Sequence, residues 1–167
     1  MRVDLLEKKE AEKIVKGLSP PYDIIWNIGY STGLRISDVL NLKASIAGKK
    51  YVYVTEQKTG KKRRIYIRKK LREQIAERVR RYSLPDDSPL FVCTRQTVWR
   101  HFKKAAAGTV NKNVGTHSMR KSYALQCLKK THSMSTLQKN LNHSLQADTI
   151  NYIMSNQEIE MIKAKGA

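Results

Sequence analysis

Tyr51-Val52-Tyr53-Val54-Thr55-Glu56-Gln57-Lys58-Thr59-Gly60-Lys61-Lys62-Arg63-Arg64-Ile65-Tyr66-Ile67 is the stretch that decides the fold class. Side chains alternate in the manner of a strand over 51–57 and again over 63–68. Between them Gln57 to Lys62 supplies a glycine turn crowded with lysine. The stretch therefore predicts a β-hairpin with a strongly basic tip. Residues 45–49 are read as a third, short strand beside it. Everything else with a clear period reads as helix, so the expectation is an α+β chain, mostly helical, with a small antiparallel three-stranded sheet.

Before the hairpin, residues 4–17 read as a helix that Gly17 ends, with Leu5, Leu6, Ala11, Ile14 and Val15 apolar among Glu and Lys. Pro20-Pro21 marks a turn, and a second helix over about 22–32 is apolar on much of its circumference, which predicts burial. Thr32-Gly33-Leu34-Arg35-Ile36-Ser37-Asp38-Val39-Leu40-Asn41-Leu42 follows. Gly33 permits a tight turn, and Ser37 is expected to cap a short helix whose Val39, Leu40 and Leu42 face inward. Arg35 sits at this junction between apolar neighbours. An arginine so embedded needs an anion, and either Asp38 or a phosphate would serve.

After the hairpin, residues 69–82 form an amphipathic helix with Leu71, Ile75 and Val79 as its stripe. Pro85 and Pro89 bound a loop. A helix over 96–107 is expected to bury Val98, Trp99, Phe102 and alanines 105–107, with Arg95, Arg100, Lys103 and Lys104 on or beside its polar side. Thr116-His117-Ser118-Met119-Arg120-Lys121-Ser122-Tyr123-Ala124 then starts a helix, with Thr116 as expected cap. His117 and Arg120 project to the same side of its first turn. Two basic side chains at the positive end of a buried helix are costly unless an anion lies there; on a surface turn they would be unremarkable. A helix around 134–141 leads to the last informative stretch, Leu141 to Tyr152.

In that stretch Ser144 can cap a helix on which Ala147, Ile150, Ile153 and Met154 share one side. Tyr152 falls on roughly the opposite side. Alone, it reads as a surface tyrosine. A phenol with a pKa of about 10 is a poor nucleophile at neutral pH and needs nearby cations or a base. If its electrophile is a phosphodiester, the non-bridging oxygens need fixed donors, best supplied by arginine forks, and the leaving oxygen needs a proton donor.

Composition narrows the partner. The chain has 167 residues, enough for one domain with its own core, and 40% hydrophobic residues. Its 33 Lys and Arg against 14 Asp and Glu give a net charge of +19, spread along the chain. A globular domain this basic binds a polyanion, and nucleic acid is the first candidate; a ribosomal or membrane-surface protein would carry the same sign. Cys93 and Cys127 have no zinc-site spacing and read as ordinary buried thiols. The sequence has no signal peptide and no run long enough to span a membrane, which points to the cytoplasm.

Together these residues resemble the catalytic domain of the tyrosine recombinases, the phage integrase family. The resemblance rests on Arg35 within Thr-Gly-Leu-Arg-Ile-Ser-Asp, a lysine on a β-hairpin turn, His117-x-x-Arg120, His143, and Tyr152 nine residues later. It covers residue 4 to Met154. It implies that Tyr152 is the nucleophile of a 3′-phosphotyrosyl intermediate and that Arg35 and Arg120 clamp the scissile phosphate. Lys58 is implied as the donor to the leaving 5′-oxygen, with Lys61 and Lys62 as rivals. His117 and His143 would bond the phosphate and assist proton transfer, and Asp38 would support the site. Lys61, Lys62, Arg63, Arg95, Arg100 and Lys121 are expected to contact DNA. No metal or nucleotide cofactor is implied. The implied partner is double-stranded DNA, with self-assembly to a tetramer on it, in a bacterial or phage setting.

Two departures from the family pattern stand out. Asn142 replaces the glycine usual before His143, and asparagine tolerates the same backbone. The chain also starts directly at the catalytic domain, 1–154, with 155–167 as a C-terminal tail. That implies a fragment of a longer integrase or a single-domain branch. The tail is expected to be mobile or extended in an isolated monomer and to pack on a neighbouring protomer. Two other readings compete: a DNA-binding regulator that keeps the fold without catalysis, and a type IB topoisomerase, which shares the chemistry.

Overall fold

A computed structural model describes residues 3–141. Within them the chain runs α1 (Lys8–Lys16), α2 (Tyr22–Thr32), α3 (Ile36–Leu40), a 3-10 turn (Ala44–Ile46), β1 (Tyr51–Thr55), β2 (Lys62–Tyr66), α4 (Lys69–Arg81), α5 (Arg95–Ala106), α6 (Ser118–Thr131) and α7 (Met134–Leu141). The mostly helical α+β architecture is as expected. The C-terminal stretch carrying His143 and Tyr152, and the tail 155–167, lie outside the described residues.

Helix α2 is the axle. Ile24, Ile25, Trp26, Ile28, Gly29 and Thr32 are all buried, and α1, α3, α4, α5 and α6 all pack on it. Apolar side chains around the circumference make this possible, since each face meets a different neighbour. Phe102 of α5 meets Trp26 edge-on, ring centroids 4.8 Å apart. Gly29 and Gly33 let α6 approach: a Cβ on Gly29 would lie 2.2 Å from the Met119 sulfur, and one on Gly33 2.3 Å from the Tyr123 ring. Gly33 also ends α2 in the left-handed conformation, φ 69°, which an L side chain adopts only at a cost. A smaller apolar cluster of Ala124, Leu125, Leu128, Leu137 and Leu141 joins α6 to α7.

The sheet is a hairpin of β1 and β2, paired antiparallel from Tyr51–Tyr66 to Thr55–Lys62. Val52, Val54, Ile65 and Ile67 point into the core. The expected third strand at 45–49 is not formed. Ala44 N–H donates to the Ser88 carbonyl at 3.0 Å and Ser45 N–H to that of Asp86 at 2.8 Å, so the segment hangs on the loop after α4 as a 3-10 turn. Trp99, expected in the core, is 45% exposed.

Helix starts also differ from expectation. Residues 4–7 are extended, because Asp4 N–H bonds to the Asn113 carbonyl at 2.9 Å and Leu6 N–H to Ser122 Oγ at 3.1 Å. The helix then begins with a capping box of Glu7 and Glu10. Neither Ser37 nor Thr116 is a cap: Arg35 occupies the N-cap position of α3 and His117 that of α6, both without side-chain capping bonds. Among the described residues no helix is long and apolar enough to cross a membrane.

Candidate active site

Arg35 reaches its place because Gly33 turns the chain sharply out of α2, and Leu34 and Ile36, both buried, pin the turn from either side. Its Nη1 lies 2.5 Å from Glu56 Oε2. The Glu56 side chain is fully buried and its Oε1 stands 3.4 Å from Arg63 Nη1. Arg63 Nη2 donates to the Thr32 carbonyl. Two groups from the hairpin thus grip the turn that carries Arg35. Asp38, 1% exposed, adds a third link: its Oδ1 accepts from Gln57 N–H at 2.9 Å.

Lys58 follows directly and is exposed, in the tight turn where the Glu56 carbonyl accepts from Gly60 N–H at 2.8 Å. Lys61 and Lys62 are exposed on the same tip. Anchored on one side and open on the other, the turn can present an ammonium to a polyanion.

The start of α6 closes the site. Arg120 is buried, 1% exposed, and donates from Nη1 to the Gly33 carbonyl at 2.7 Å and from Nη2 to the Leu141 carbonyl at 2.8 Å. It ties α6 both to the turn before Arg35 and to the end of α7. His117 is half-buried, and Arg95 Nη2 lies 3.5 Å from its Nε2. An arginine can only donate, so a bond there requires Nε2 to be unprotonated. Burial, and then the charges of Arg95, Arg120, Arg35 and Lys121, hold the His117 pKa below the ordinary imidazole value. Four cations from the Arg35 turn, α5 and α6 therefore act on one neutral imidazole.

The remaining basic residues divide. Arg95 and Arg100 are exposed on α5. Lys121 is buried, and its Nζ donates to the Val3 carbonyl at 2.8 Å. Arg63 is committed to Glu56 and Thr32. These two are built into the interior, unlike the lysines of the tip. Glu56 is the member of the cluster that pattern reading passed over, because a glutamate at a strand end looks solvated. The hint was an acidic residue immediately before a run dense in Lys and Arg.

Tyr123 is the tyrosine on α6 nearest this cluster, with the Arg63 guanidinium 6.0 Å from its ring centroid. Burial, with help from Cys127, pushes its pKa up to about 12, which keeps it a neutral phenol and a poor nucleophile.

Comparison with known proteins identifies the family and the fold. The phage integrase family matches residues 4–158. A probable integrase/recombinase of Bacillus subtilis (strain 168), YoeC, is 34% identical over 133 residues, 75% of this chain and 72% of the relative. The crystal structure of XerA recombinase superposes with a TM-score of 0.78 at 21% identity, over 99% of this chain and 64% of that one. The catalytic domain of bacteriophage HP1 integrase gives 0.67 at 19% identity, over 96% of this chain and 94% of that domain. Lambda integrase, crystallised as a tetramer bound to a Holliday junction, gives 0.69 at 22% identity, over 92% of this chain and 49% of that one. The chain thus spans about two thirds of XerA and half of lambda integrase but nearly all of the HP1 catalytic domain. It belongs to the phage integrase family of tyrosine-type site-specific recombinases and has the fold of that family's catalytic domain.

Proposed function

We propose that this chain cleaves and rejoins duplex DNA through a covalent 3′-phosphotyrosyl intermediate, with Tyr152 as nucleophile. The Tyr152 oxygen attacks the scissile phosphorus, the bond to the 5′-oxygen breaks, and that oxygen leaves as a hydroxyl after taking a proton from Lys58. The phenolic proton passes to a neutral base, a role His117 fits. Arg35 and Arg120 stabilise the charge that builds on the non-bridging oxygens, and His143 and Asp38 support them. Reversal by a 5′-hydroxyl of another strand rejoins DNA, so the phosphodiester energy is kept and no cofactor is required.

One observation carries the reading. Arg120 is tied to the turn that carries Arg35, Arg95 Nη2 stands 3.5 Å from the half-buried His117 at the start of the same helix, and the hairpin that holds Arg35 through Glu56 has an exposed lysine tip. Glu56 offsets only part of this positive charge, and a phosphodiester supplies the further anion that such a cluster favours. The net charge of +19 gives the same polyanion a long-range attraction. Lys61, Lys62, Arg95 and Arg100 are the outer phosphate contacts in this reading. The catalytic unit is taken as 1–154, with the tail 155–167 joining protomers in a tetramer on DNA in the cytoplasm; the lambda integrase tetramer supports that assembly by analogy.

The test is a nicked duplex carrying a core site selected from random duplexes by binding. A covalent adduct that disappears with Tyr152→Phe is the expected result. Duplex binding with no adduct on any nicked substrate would favour the non-catalytic regulator, and an undiminished adduct with the Phe variant would move the nucleophile elsewhere.

A further inference from the structure

Glu56 is a fully buried carboxylate between two arginines. Burying such a charge is costly unless it is paired and its lone pairs are satisfied. Here Arg35 and Arg63 flank it, and Thr59 Oγ1 lies 3.4 Å from Oε2. The bond to Glu56 is the only hydrogen bond of the Arg35 guanidinium among the described residues. The Arg35 side chain is 17% exposed, so part of it remains open to solvent. One edge of the fork is held while the rest stays available to a phosphate.

The same residue builds the turn that carries Lys58. Its carbonyl accepts from Gly60 N–H at 2.8 Å and Thr59 N–H at 3.3 Å, and its own N–H donates to the Lys61 carbonyl at 3.1 Å. The side chain of Glu56 reaches one end of α3 through Arg35. The next residue, Gln57, reaches its middle through Asp38. Without the carboxylate, Arg35 and Arg63 would repel each other across a buried gap, and the hairpin would lose its grip on the Arg35 turn.

We propose that Glu56 is a positioning residue: its carboxylate aims the Arg35 guanidinium at the scissile phosphate and ties the Lys58 turn to it. This deepens the DNA-cleavage reading above and rests on it. Glu56 does not touch the reacting atoms; it acts through Arg35. The charge count also suits the task. With Asp38 and Arg120 counted, three arginines face two buried carboxylates, so the cluster stays net positive and Glu56 orients the clamp without cancelling its attraction for phosphate.

The experiment compares wild type, Glu56→Gln and Arg35→Ala in single-turnover adduct formation on the nicked core-site duplex. Duplex affinity and urea unfolding are measured alongside. Glu56→Gln should bind the duplex within a few-fold of wild type yet form adduct roughly ten- to a hundredfold more slowly, the scale expected for a misplaced catalytic group. A second duplex carries a methylphosphonate at the scissile position, which removes one negative oxygen and so reduces the need for an aimed arginine. On it the defects of Glu56→Gln and Arg35→Ala should both shrink. A merely structural role would leave the Glu56→Gln defect equal on both substrates, and that result overturns the proposal, as does a wild-type rate for Glu56→Gln. If Glu56→Gln does not fold, Glu56→Asp carries the test: the charge is kept, the reach is one methylene shorter, and the same substrate dependence is expected. A wild-type protein that forms no adduct sinks the cleavage reading and this one together, whereas wild-type adduct with an unimpaired Glu56→Gln sinks only the positioning role.

Discussion

Arg120 Nη1 donates to the carbonyl of Gly33 at 2.7 Å, joining residues 87 apart in sequence. With the bond from Nη2 to Leu141, this buried guanidinium is a structural tie as well as a candidate phosphate clamp. Arg120→Ala leaves two carbonyls unpaired, each costing about 1–3 kcal/mol. We therefore expect a total loss of about 2–6 kcal/mol in urea unfolding. Arg35→Ala should lose less, because Glu56 retains Arg63. Equal losses would show that the Gly33 and Leu141 bonds contribute little, and would leave Arg120 with a purely chemical role.

The two glycines facing α6 should respond differently to alanine. At Gly33 the backbone is left-handed and the new Cβ would strike the Tyr123 ring, whose plane cannot yield without moving α6. Strain of about 1–2 kcal/mol adds to overpacking of about 1–3 kcal/mol. At Gly29 the obstacle is the Met119 thioether, on a side chain with several rotatable bonds. Gly29→Ala should therefore cost clearly less than Gly33→Ala in urea midpoint. The reverse order would mean that α6 yields more easily than Met119.

Local signals explain which parts of the fold could be read in advance. Pro20-Pro21 and Gly33 bracket α2, and the structure has it at Tyr22–Thr32, the expected span. The hairpin was legible from alternation and its glycine turn. What could not be read were positions set by partners far along the chain. Ser37 and Thr116 carry good capping side chains, yet Arg35 and His117 hold those positions, in loops fixed by tertiary contacts. Residues 45–49 precede the hairpin and were expected to extend its sheet, but Ser45 N–H donates to the Asp86 carbonyl and the N–H groups of Ile46, Ala47 and Lys49 donate within the local turn. For the site, residue type was visible and commitment was not. Lys121 and Arg63 looked like surface cations, yet each meets a carbonyl or carboxylate contributed from elsewhere in the chain. Glu56 became recognisable only once its pairing with Arg35, across 21 residues, was in view.

His117 should leave a signature in the pH dependence of stability. Burial and the surrounding cations lower its pKa in the fold, while in the unfolded chain it titrates near its ordinary value of about 6.5. As pH falls below that value, the unfolded state takes a proton that the folded state resists, so stability drops. The drop ends once the pH passes the folded pKa. The wild-type urea midpoint should thus fall more steeply between pH 7 and pH 5 than that of His117→Asn. Parallel curves would mean that the imidazole is not held neutral.

At the hairpin tip, proton donation and phosphate binding can be told apart by experiment. Lys58, Lys61 and Lys62 are all exposed, so stability should change little on replacing any of them by alanine. If Lys58 protonates the leaving 5′-oxygen, Lys58→Ala should slow adduct formation by about a hundredfold or more. A substrate with sulfur in place of that bridging oxygen expels a thiolate, which needs no proton, so on it the defect should largely vanish. Lys61→Ala and Lys62→Ala should instead weaken duplex binding. Each should flatten the dependence of log affinity on log salt by about 0.9 for a lost phosphate contact, with the same effect on both substrates. If the sulfur substrate rescues Lys61→Ala or Lys62→Ala and not Lys58→Ala, the donor is the rescued lysine, and the turn holds Lys58 in an outer, binding role.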